Sequence, residues 1–282
     1  MFGITRQAYY NHRKRGIAKQ IETELIIKRV KAIRSVHPRM GCRKIHELLK
    51  EELVQIGIKI GRDKLFDLLS DNQLLIRRRK RRTKTTNSYH MFKKHKNLIK
   101  GFTPYQAGQL WVSDITYIRN KETFKYLFLI TDAYSRKIVG HKIADSLETK
   151  HAIQSMKMAI KQASNIDGLI HHSDRGVQYC CHKYVKLLQD YKIRISMTED
   201  SNPTDNSIAE RVNGILKEEY IEPLNNTTNI MLEEIVSKAI HRYNYYRPHL
   251  SCDMKTPNEA HKLTGSIKKR WKNYYTVQNE NN

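Results

Sequence analysis

The chain has 282 residues, 39% of them hydrophobic, which is long enough for a sizeable core and for two domains. Its 52 lysine and arginine residues outnumber its 28 acidic residues, and the formal net charge is +24. A positive field of this size attracts polyanions, so nucleic acid is the expected partner, with a ribosome-type surface or simple solubility as alternatives. Four cysteines in a chain this long do not make a disulfide framework, and a reducing, cytoplasmic setting is expected.

The charge is concentrated in the first third of the chain. Residues 1–100 hold 27 basic and 8 acidic residues, a net charge of +19, and the remainder carries +5. The N-terminus is basic without an apolar run behind it, so no secretory signal is expected. The longest apolar stretch, Tyr126–Ile130, is the length of a strand and far too short to cross a bilayer, so no membrane association is expected.

The first 76 residues are predicted to be helical. Residues 1–20 form a basic N-terminal arm or short helix, and apolar periodicity predicts helices over 21–35, 43–53 and 62–70. Three short basic helices favour a small helix-turn-helix-like domain over 21–76. Arg62 and Lys64, at the start of the third helix, are then the candidate DNA contacts. The alternative is a helical hairpin that only braces a neighbouring domain.

A basic linker is predicted over residues 77–106. Seven of the eight residues from Arg77 to Lys84 are basic, and such a run should be extended because like charges repel. Lysines continue the run to Lys100. We expect these side chains to contact DNA phosphates, which carry no sequence information. The candidate contacts of the run itself are Arg77, Arg78, Arg79, Lys80, Arg81 and Arg82.

From residue 107 the pattern changes to alternating strands and helices. Strands are predicted over 110–118, 125–131, 137–144, 169–172 and 192–197. Helices are predicted over 149–164, 182–190 and 230–246, with another that begins near 207. This order is typical of an α/β ribonuclease H-like core, a mixed five-stranded sheet with flanking helices. The core is assigned to 107–265 and a tail to 266–282.

Three acids stand out by position. Asp114 interrupts an apolar strand, where a charge is costly unless it is paired or bound to a metal. Asp174 follows the fourth strand, and Glu210 lies in the first turns of the helix after the fifth. A sheet with adjacent first and fourth strands would bring the three together. Asp114 could instead face solvent, Asp174 could be a plain turn residue, and Glu210 could form a capping box with Ser207.

The helix that carries Glu210 has a polar stripe. Asn206, Glu210, Asn213 and Lys217 recur at i, i+4, i+7 and i+11 and share one side. An acid, two amides and a lysine on one stripe suit a metal-bound phosphodiester. A solvated helix face would have the same pattern.

Several motifs in order resemble a known family. They are Trp111-Val-Ser-Asp114-Ile-Thr-Tyr117, His172-Ser-Asp174-Arg-Gly-Val-Gln-Tyr179, Asn206-Ser-Ile-Ala-Glu210 with Lys217, Tyr243-Asn-Tyr-Tyr-Arg247-Pro-His249 and Thr256-Pro-Asn-Glu-Ala260. Thirty-five residues separate Asp174 from Glu210. The chain resembles an OrfB-type DDE transposase of the insertion-sequence-three family, within the retroviral integrase-like superfamily. The resemblance covers nearly the whole chain, because 21–76, with the motif from His37 to Ile45, also resembles that family's helix-turn-helix-like segment.

The resemblance implies a DNA transposase that cleaves element ends and transfers the strand into target DNA. Asp114, Asp174 and Glu210 would be the catalytic residues and the ligands of two Mg²⁺ or Mn²⁺ ions, which hard oxygen ligands suit. Lys217 would hold the transferred strand, assisted by Asn206 and Asn213. A multimer on DNA, an upstream-frame partner protein and a bacterial, nucleoid-associated setting in the cytoplasm are also implied.

Other classes of protein remain open from the residues alone. A tyrosine recombinase also cuts DNA, and the stretch from Tyr243 to His249 offers tyrosines beside an arginine and a histidine. The histidines and cysteines between His171 and His182 lack the usual zinc spacing, so no zinc site is expected. A non-catalytic DNA-binding regulator that retains a ribonuclease H-like fold is the remaining alternative.

Overall fold

The computed structural model of the chain describes residues 5–76, 91–120, 123–199, 206–225 and 230–270. The chain divides into two compact units, 1–79 and 80–282. Within the described ranges, no helix combines the length and apolar character needed to cross a bilayer. The predicted domain boundaries stay a prediction.

Three helices form the first unit: α1 (Arg6–Val36), α2 (Cys42–Gln55) and α3 (Arg62–Asp71). The helix predicted over 21–35 starts earlier than expected, because α1 is continuous from Arg6 through the residues assigned to the N-terminal arm. Gly16 costs the helix only about 1 kcal/mol, which does not interrupt it. The unit's core is made of leucines, isoleucines, a valine and a methionine that recur at helical spacing on α1, α2 and α3 and in the loops between them.

The second unit is built on one sheet, and its predicted mixed topology is confirmed. In the described residues five strands form it, in the spatial order β3-β2-β1-β4-β5. They are β1 (Leu110–Asn120), β2 (Thr123–Asp132), β3 (Ile138–Ala144), β4 (Ile170–Ser173) and β5 (Arg194–Met197). The first three pair antiparallel, and β4 and β5 add parallel to β1.

Helices flank this sheet. They are α4 (Thr149–Gln162), α5 (Val177–Cys180), α6 (His182–Asp190), α7 (Ser207–Ile215), α8 (Glu222–Asn225), α9 (Leu232–Tyr245) and α10 (Pro257–Ala260). A π-helical segment, Leu216–Ile221, joins α7 to α8, and a single 3₁₀ turn spans Leu250–Cys252. The π-helical segment departs from the regular helix that periodicity predicts.

The two faces of the sheet carry separate apolar cores. Alternating side chains of β1, β2 and β3 pack on one face with α4 and α6, because successive strand residues point to opposite sides. The other side chains pack with α7, the π-helical segment and α9. This second face is the one on which Asp114 lies.

A buried ion pair connects the π-helical segment to the residues after α9. The Arg247 guanidinium donates from Nε and Nη2 to the two carboxylate oxygens of Glu219 over 2.8 and 2.7 Å. The Arg247 side chain is 1% exposed and that of Glu219 is 17% exposed. The guanidinium also lies 5.6 Å from the centre of the Tyr243 ring. Glu219 falls on the apolar side of the helix, so this bidentate pairing is what makes its burial tolerable.

We expect Arg247→Met to lower the free energy of unfolding by about 3–5 kcal/mol, because it leaves the Glu219 charge buried without its partner. Urea denaturation measures the loss. Lys238→Met is the matched control: Lys238 pairs with Glu234 four residues earlier, but both side chains are half-exposed, and the cost should stay below about 1 kcal/mol. Equal effects of the two substitutions would contradict a buried, structural pair.

Candidate active site

The central strand places Asp114 over the middle of the sheet. Asp114 stands opposite Leu129 of β2, and its side chain is only partly buried. The parallel neighbour on the other side is β4, with Val112 level with His172. Because β4 ends at Ser173, the chain leaves the sheet next to the middle of β1, and Asp174 follows at once.

A tight turn holds Asp174. Its Oδ1 accepts a hydrogen bond from the backbone N–H of Gly176 over 3.0 Å. A Cβ atom at Gly176 would lie only 3.0 Å from that oxygen, which explains the glycine. Asp174 is therefore a turn residue, as one of the two interpretations predicted. The turn still places it close enough to Asp114 to raise the pKa of that carboxyl.

Glu210 lies in the first turn of α7. The helix begins at Ser207, its N-cap is Asn206, and no side chain bonds at this cap. The predicted capping box of Ser207 with Glu210 is therefore wrong: the helix starts one residue earlier than that pattern requires. The Glu210 side chain is exposed, which leaves its carboxylate available.

Two asparagine side chains fasten α7 to β1. Asn206 Nδ2 donates to the Ser113 carbonyl oxygen over 3.0 Å, and Asn213 Nδ2 donates to Asp114 Oδ2 over 2.7 Å. Both asparagines are buried, 6% and 4% exposed. Their predicted contact with DNA stays a prediction, and in the structure these amide nitrogens bind the strand.

The three acids influence one another electrostatically. Loss of hydration raises the pKa of Asp114 to about 7, with further increases from the nearby Asp174 and, more weakly, Glu210. The hydrogen bond from Asn213 acts in the opposite direction. The sheet and α7 therefore bring the three predicted acids into one electrostatic neighbourhood, with Asp114 and Asp174 as the more strongly interacting pair.

The donor set suits a hard divalent cation. Carboxylate oxygens are the ligands that Mg²⁺ and Mn²⁺ prefer, and a cation would relieve the unfavourable charge on Asp114. The described part of the chain contains no three histidine, cysteine, aspartate or glutamate side chains already close enough to hold a metal ion together. The residues therefore fit such an ion chemically, but they do not form a closed cage.

A polar network lies under β1, on the face away from Asp114. Ser113 Oγ is 2.7 Å and the Tyr184 hydroxyl is 3.2 Å from His171 Nε2. Burial lowers the pKa of His171 to about 3, so the imidazole stays neutral. On the next residue, His172 Nδ1 lies 2.8 Å from Ser196 Oγ. These histidines, considered above for zinc, link β1, β4, β5 and α6. The sequence signal for these polar contacts is the pair of adjacent histidines inside a predicted strand.

The other predicted DNA contacts are scattered. Lys217 lies half-buried in the π-helical segment. In the first unit, Arg62 is exposed and bonds to the neighbouring Asp63 over 2.7 Å, and Lys64 is exposed in the same turn of α3. The residues from Arg77 to Arg82 lie outside the described ranges.

Tyr243 is unsuited to act as a recombinase nucleophile. Its side chain is fully buried, and its hydroxyl donates to the Arg136 carbonyl oxygen over 3.1 Å. Burial raises the pKa of Tyr243 well above its usual value. Tyr245 and Tyr246 are exposed and stack against His241. The stretch is part of the core on the α9 side of the sheet.

We expect Asp114→Asn to stabilise the metal-free protein at pH 7.5, by roughly 2–4 kcal/mol, because the raised pKa marks a carboxylate that is unfavourable when charged. A group whose pKa is raised on folding contributes stability at low pH and loses it as the pH rises, here between about 4 and 7. The midpoint difference between variant and wild type should therefore widen over this range.

Thermal denaturation in the presence of a chelator measures this difference. Asp190→Asn is the control, since Asp190 is exposed at the end of α6 and should change stability by less than about 0.5 kcal/mol. A lower thermal denaturation midpoint for Asp114→Asn than for the wild type at pH 7.5 would show that the charged carboxylate does not destabilise the fold.

Comparisons with known proteins agree with this geometry. Two family models described as integrase core domain match residues 104–203 and 191–257. An uncharacterized 31 kDa protein of insertion element IS600 from Shigella sonnei is 32% identical over 224 residues, which cover 78% of this chain and 81% of that protein. The InsF transposase of insertion sequence IS3A from Escherichia coli is 30% identical over 158 residues, 55% of each chain.

A solved structure shares the fold. The simian T-cell lymphotropic virus intasome, solved with a PP2A regulatory subunit, contains a chain with a TM-score of 0.52 at 20% identity. The match covers 80% of this chain and 77% of that chain. It confirms the integrase-type, ribonuclease H-like architecture. The sequence relatives and the two family models show that the chain belongs to the insertion-sequence-three family of transposases and carries their integrase core domain.

Proposed function

We propose that this chain cleaves DNA at the ends of an insertion sequence and joins them to target DNA. The observation that carries the proposal is the placement of Asp114, Asp174 and Glu210 on one side of the sheet, where the charges of Asp174 and Glu210 help to raise the pKa of Asp114. The family supports the same chemistry, since the relative from IS3A is named a transposase.

The acids would hold two Mg²⁺ or Mn²⁺ ions. When bound, the ions would activate the attacking hydroxyl and stabilise the leaving oxygen of an in-line displacement. Asp114 and Asp174 hold their positions through the sheet and the turn, and Glu210 joins them from the exposed side of α7. Asn213 keeps one oxygen of Asp114 oriented through its hydrogen bond.

DNA would be held on more than one surface. Lys217 follows Glu210 by two turns and would contact the transferred strand. Arg62 and Lys64 on α3, with the basic residues from Arg77 to Arg82, would contact the element ends, and most of these contacts would go to phosphates. Buried Asn206 and Asn213 would act on DNA indirectly, through the placement of α7.

Joining two element ends requires more than one copy of the chain on DNA. The viral structure that shares this fold is an intasome, which supports a multimer here. A protein from an upstream reading frame is a proposed partner for end recognition, and the cytoplasm is the proposed compartment.

We expect Asp114→Asn, Asp174→Asn and Glu210→Gln each to reduce strand transfer at least about a thousandfold, because each removes a ligand that stabilises charge in the transition state. The assay joins labelled element ends to plasmid DNA in Mg²⁺. DNA affinity should change less than about threefold, since no basic residue is touched.

Asp190→Asn, an exposed acid away from the site, serves as the matched control and should retain full activity. Strand transfer by the Glu210→Gln variant at the wild-type rate would remove Glu210 from the mechanism. Parallel loss of folding and activity in all three variants would mean that the acids are structural.

A further inference from the structure

The segment from Met91 to Lys100, here called the basic strap, is packed against the β5 edge of the sheet in the second unit, the catalytic unit (80–282). Its backbone N–H groups donate to side chains at the end of β5: Leu98 to Ser196 Oγ over 2.8 Å and Asn97 to Glu199 Oε1 over 3.1 Å. Conversely, the N–H of Met197 donates to the Lys96 carbonyl oxygen over 3.4 Å. A segment predicted as a free linker is therefore fixed along its length.

Side chains reinforce this attachment. Lys100 Nζ forms an ion pair with Glu199 over 2.5 Å, and the Phe92 ring lies 5.9 Å from that of His182 on α6. Ile99 packs on a small apolar cluster that includes Ala209 and Ile208 of α7. The strap thus shares an apolar cluster with the helix that carries Glu210 and bonds to the sheet edge.

The strap alternates between attached and exposed residues. His95, Asn97 and Ile99 are partly buried, whereas Lys94, Lys96, Leu98 and Lys100 between them are exposed. In extended backbone, residues two apart point the same way and lie about 6.6 Å apart. Lys94 and Lys96 form an exposed basic row, and Lys93 adds a further exposed charge.

This row lies beside the carboxylates. Met197 of β5 is level with Ser173 of β4, and the N–H of Thr198 donates to the Ser173 carbonyl oxygen over 3.0 Å, one residue before Asp174. Burial and Asp174 raise the pKa of the Cys180 thiol, whereas Lys94 and Arg175 act to lower it. The same thiol therefore lies near both the strap and the site.

We propose that the basic strap is a pre-positioned rail for the DNA backbone at the mouth of the active site, with Lys94 and Lys96 as its phosphate contacts. This inference rests on the proposed function for the choice of partner. Three observations favour duplex DNA as the occupant: exposed lysines in a segment that itself contains no acid, their alternation with attached residues, and continuity with the acids that would act on a phosphodiester. An acidic protein would need apolar anchors, and Leu98 is the only large apolar side chain exposed in the row from Lys94 to Lys100.

The first test reverses charge at matched sites. Lys94→Glu/Lys96→Glu is compared with Lys157→Glu/Lys161→Glu, two exposed lysines of α4 on the opposite side of the sheet. Binding of a duplex element end is measured from 50 to 300 mM NaCl without divalent metal. The strap variant should bind about tenfold more weakly at low salt, and its log–log salt slope should be shallower by about 1.8, the value for two lost phosphate contacts.

The α4 variant has the same change in net charge and should bind within about threefold of wild type. Equal weakening in both variants would overturn the rail, because it would reduce the effect to overall charge. An unchanged salt slope in the strap variant would also overturn the rail.

The second test separates a fixed rail from a loose basic linker without altering charge. Ile99→Ala removes the apolar anchor, and Leu98→Ala removes its exposed neighbour, which is 40% exposed. Ile99→Ala should speed amide hydrogen exchange over 92–100 and weaken DNA binding severalfold, whereas Leu98→Ala should do neither. Faster exchange in Ile99→Ala with unchanged affinity would show that the lysines act without being held, and the rail would be wrong.

Failure of this inference is distinguishable from failure of the proposed function. Both tests measure binding without metal, so they give an answer even for a chain that joins no DNA. Conversely, full loss of strand transfer in Asp114→Asn together with wild-type binding by the strap variant would retain the function and reject the rail.

Discussion

A carboxylate on the central strand of the sheet is the constraint on which the rest of the catalytic unit depends. Asp114 needs a neighbour that stabilises its negative charge, and the fold supplies the amide of Asn213, which donates a hydrogen bond to one carboxylate oxygen. The bond to Asn213 in turn determines where α7 crosses the sheet, and therefore where Glu210 stands. The parallel pairing of β1 with β4 brings Asp174 to the same place.

The three acids are held with different rigidity. Two belong to the sheet and its adjoining turn, which have hydrogen bonds on both sides. Glu210 sits on an exposed helical turn, and its influence on Asp114 is the weakest of those from the neighbouring carboxylates. Three negative charges held rigidly together would repel one another in the absence of a cation. Two carboxylates are held by the sheet and the turn, and the third lies on an exposed helical turn. This arrangement keeps the repulsion moderate while no metal is bound.

Much of this organisation was predictable from local pattern. Alternation of apolar residues indicates the strands, and an aspartate inside an apolar strand indicates the candidate site. Other features depend on contacts distant in sequence. The cap at Asn206, the π-helical segment and the inward orientation of Asn213 are set by packing on β1 and by the ion pair with Arg247. A composition rule also assigned the whole basic run to a linker, since it cannot detect acceptors at Ser196 and Glu199, about a hundred residues later.

The attachment of residues 91–100 has a consequence for how copies of the chain meet. β5 is an outer strand, and an uncovered outer strand offers unpaired amide and carbonyl groups to any other sheet, a common route to aggregation. Here the backbone at Met197 already bonds to the strap, and lysines line its outer side. The strap therefore hinders pairing between the sheets of two copies of the chain at this end of β5.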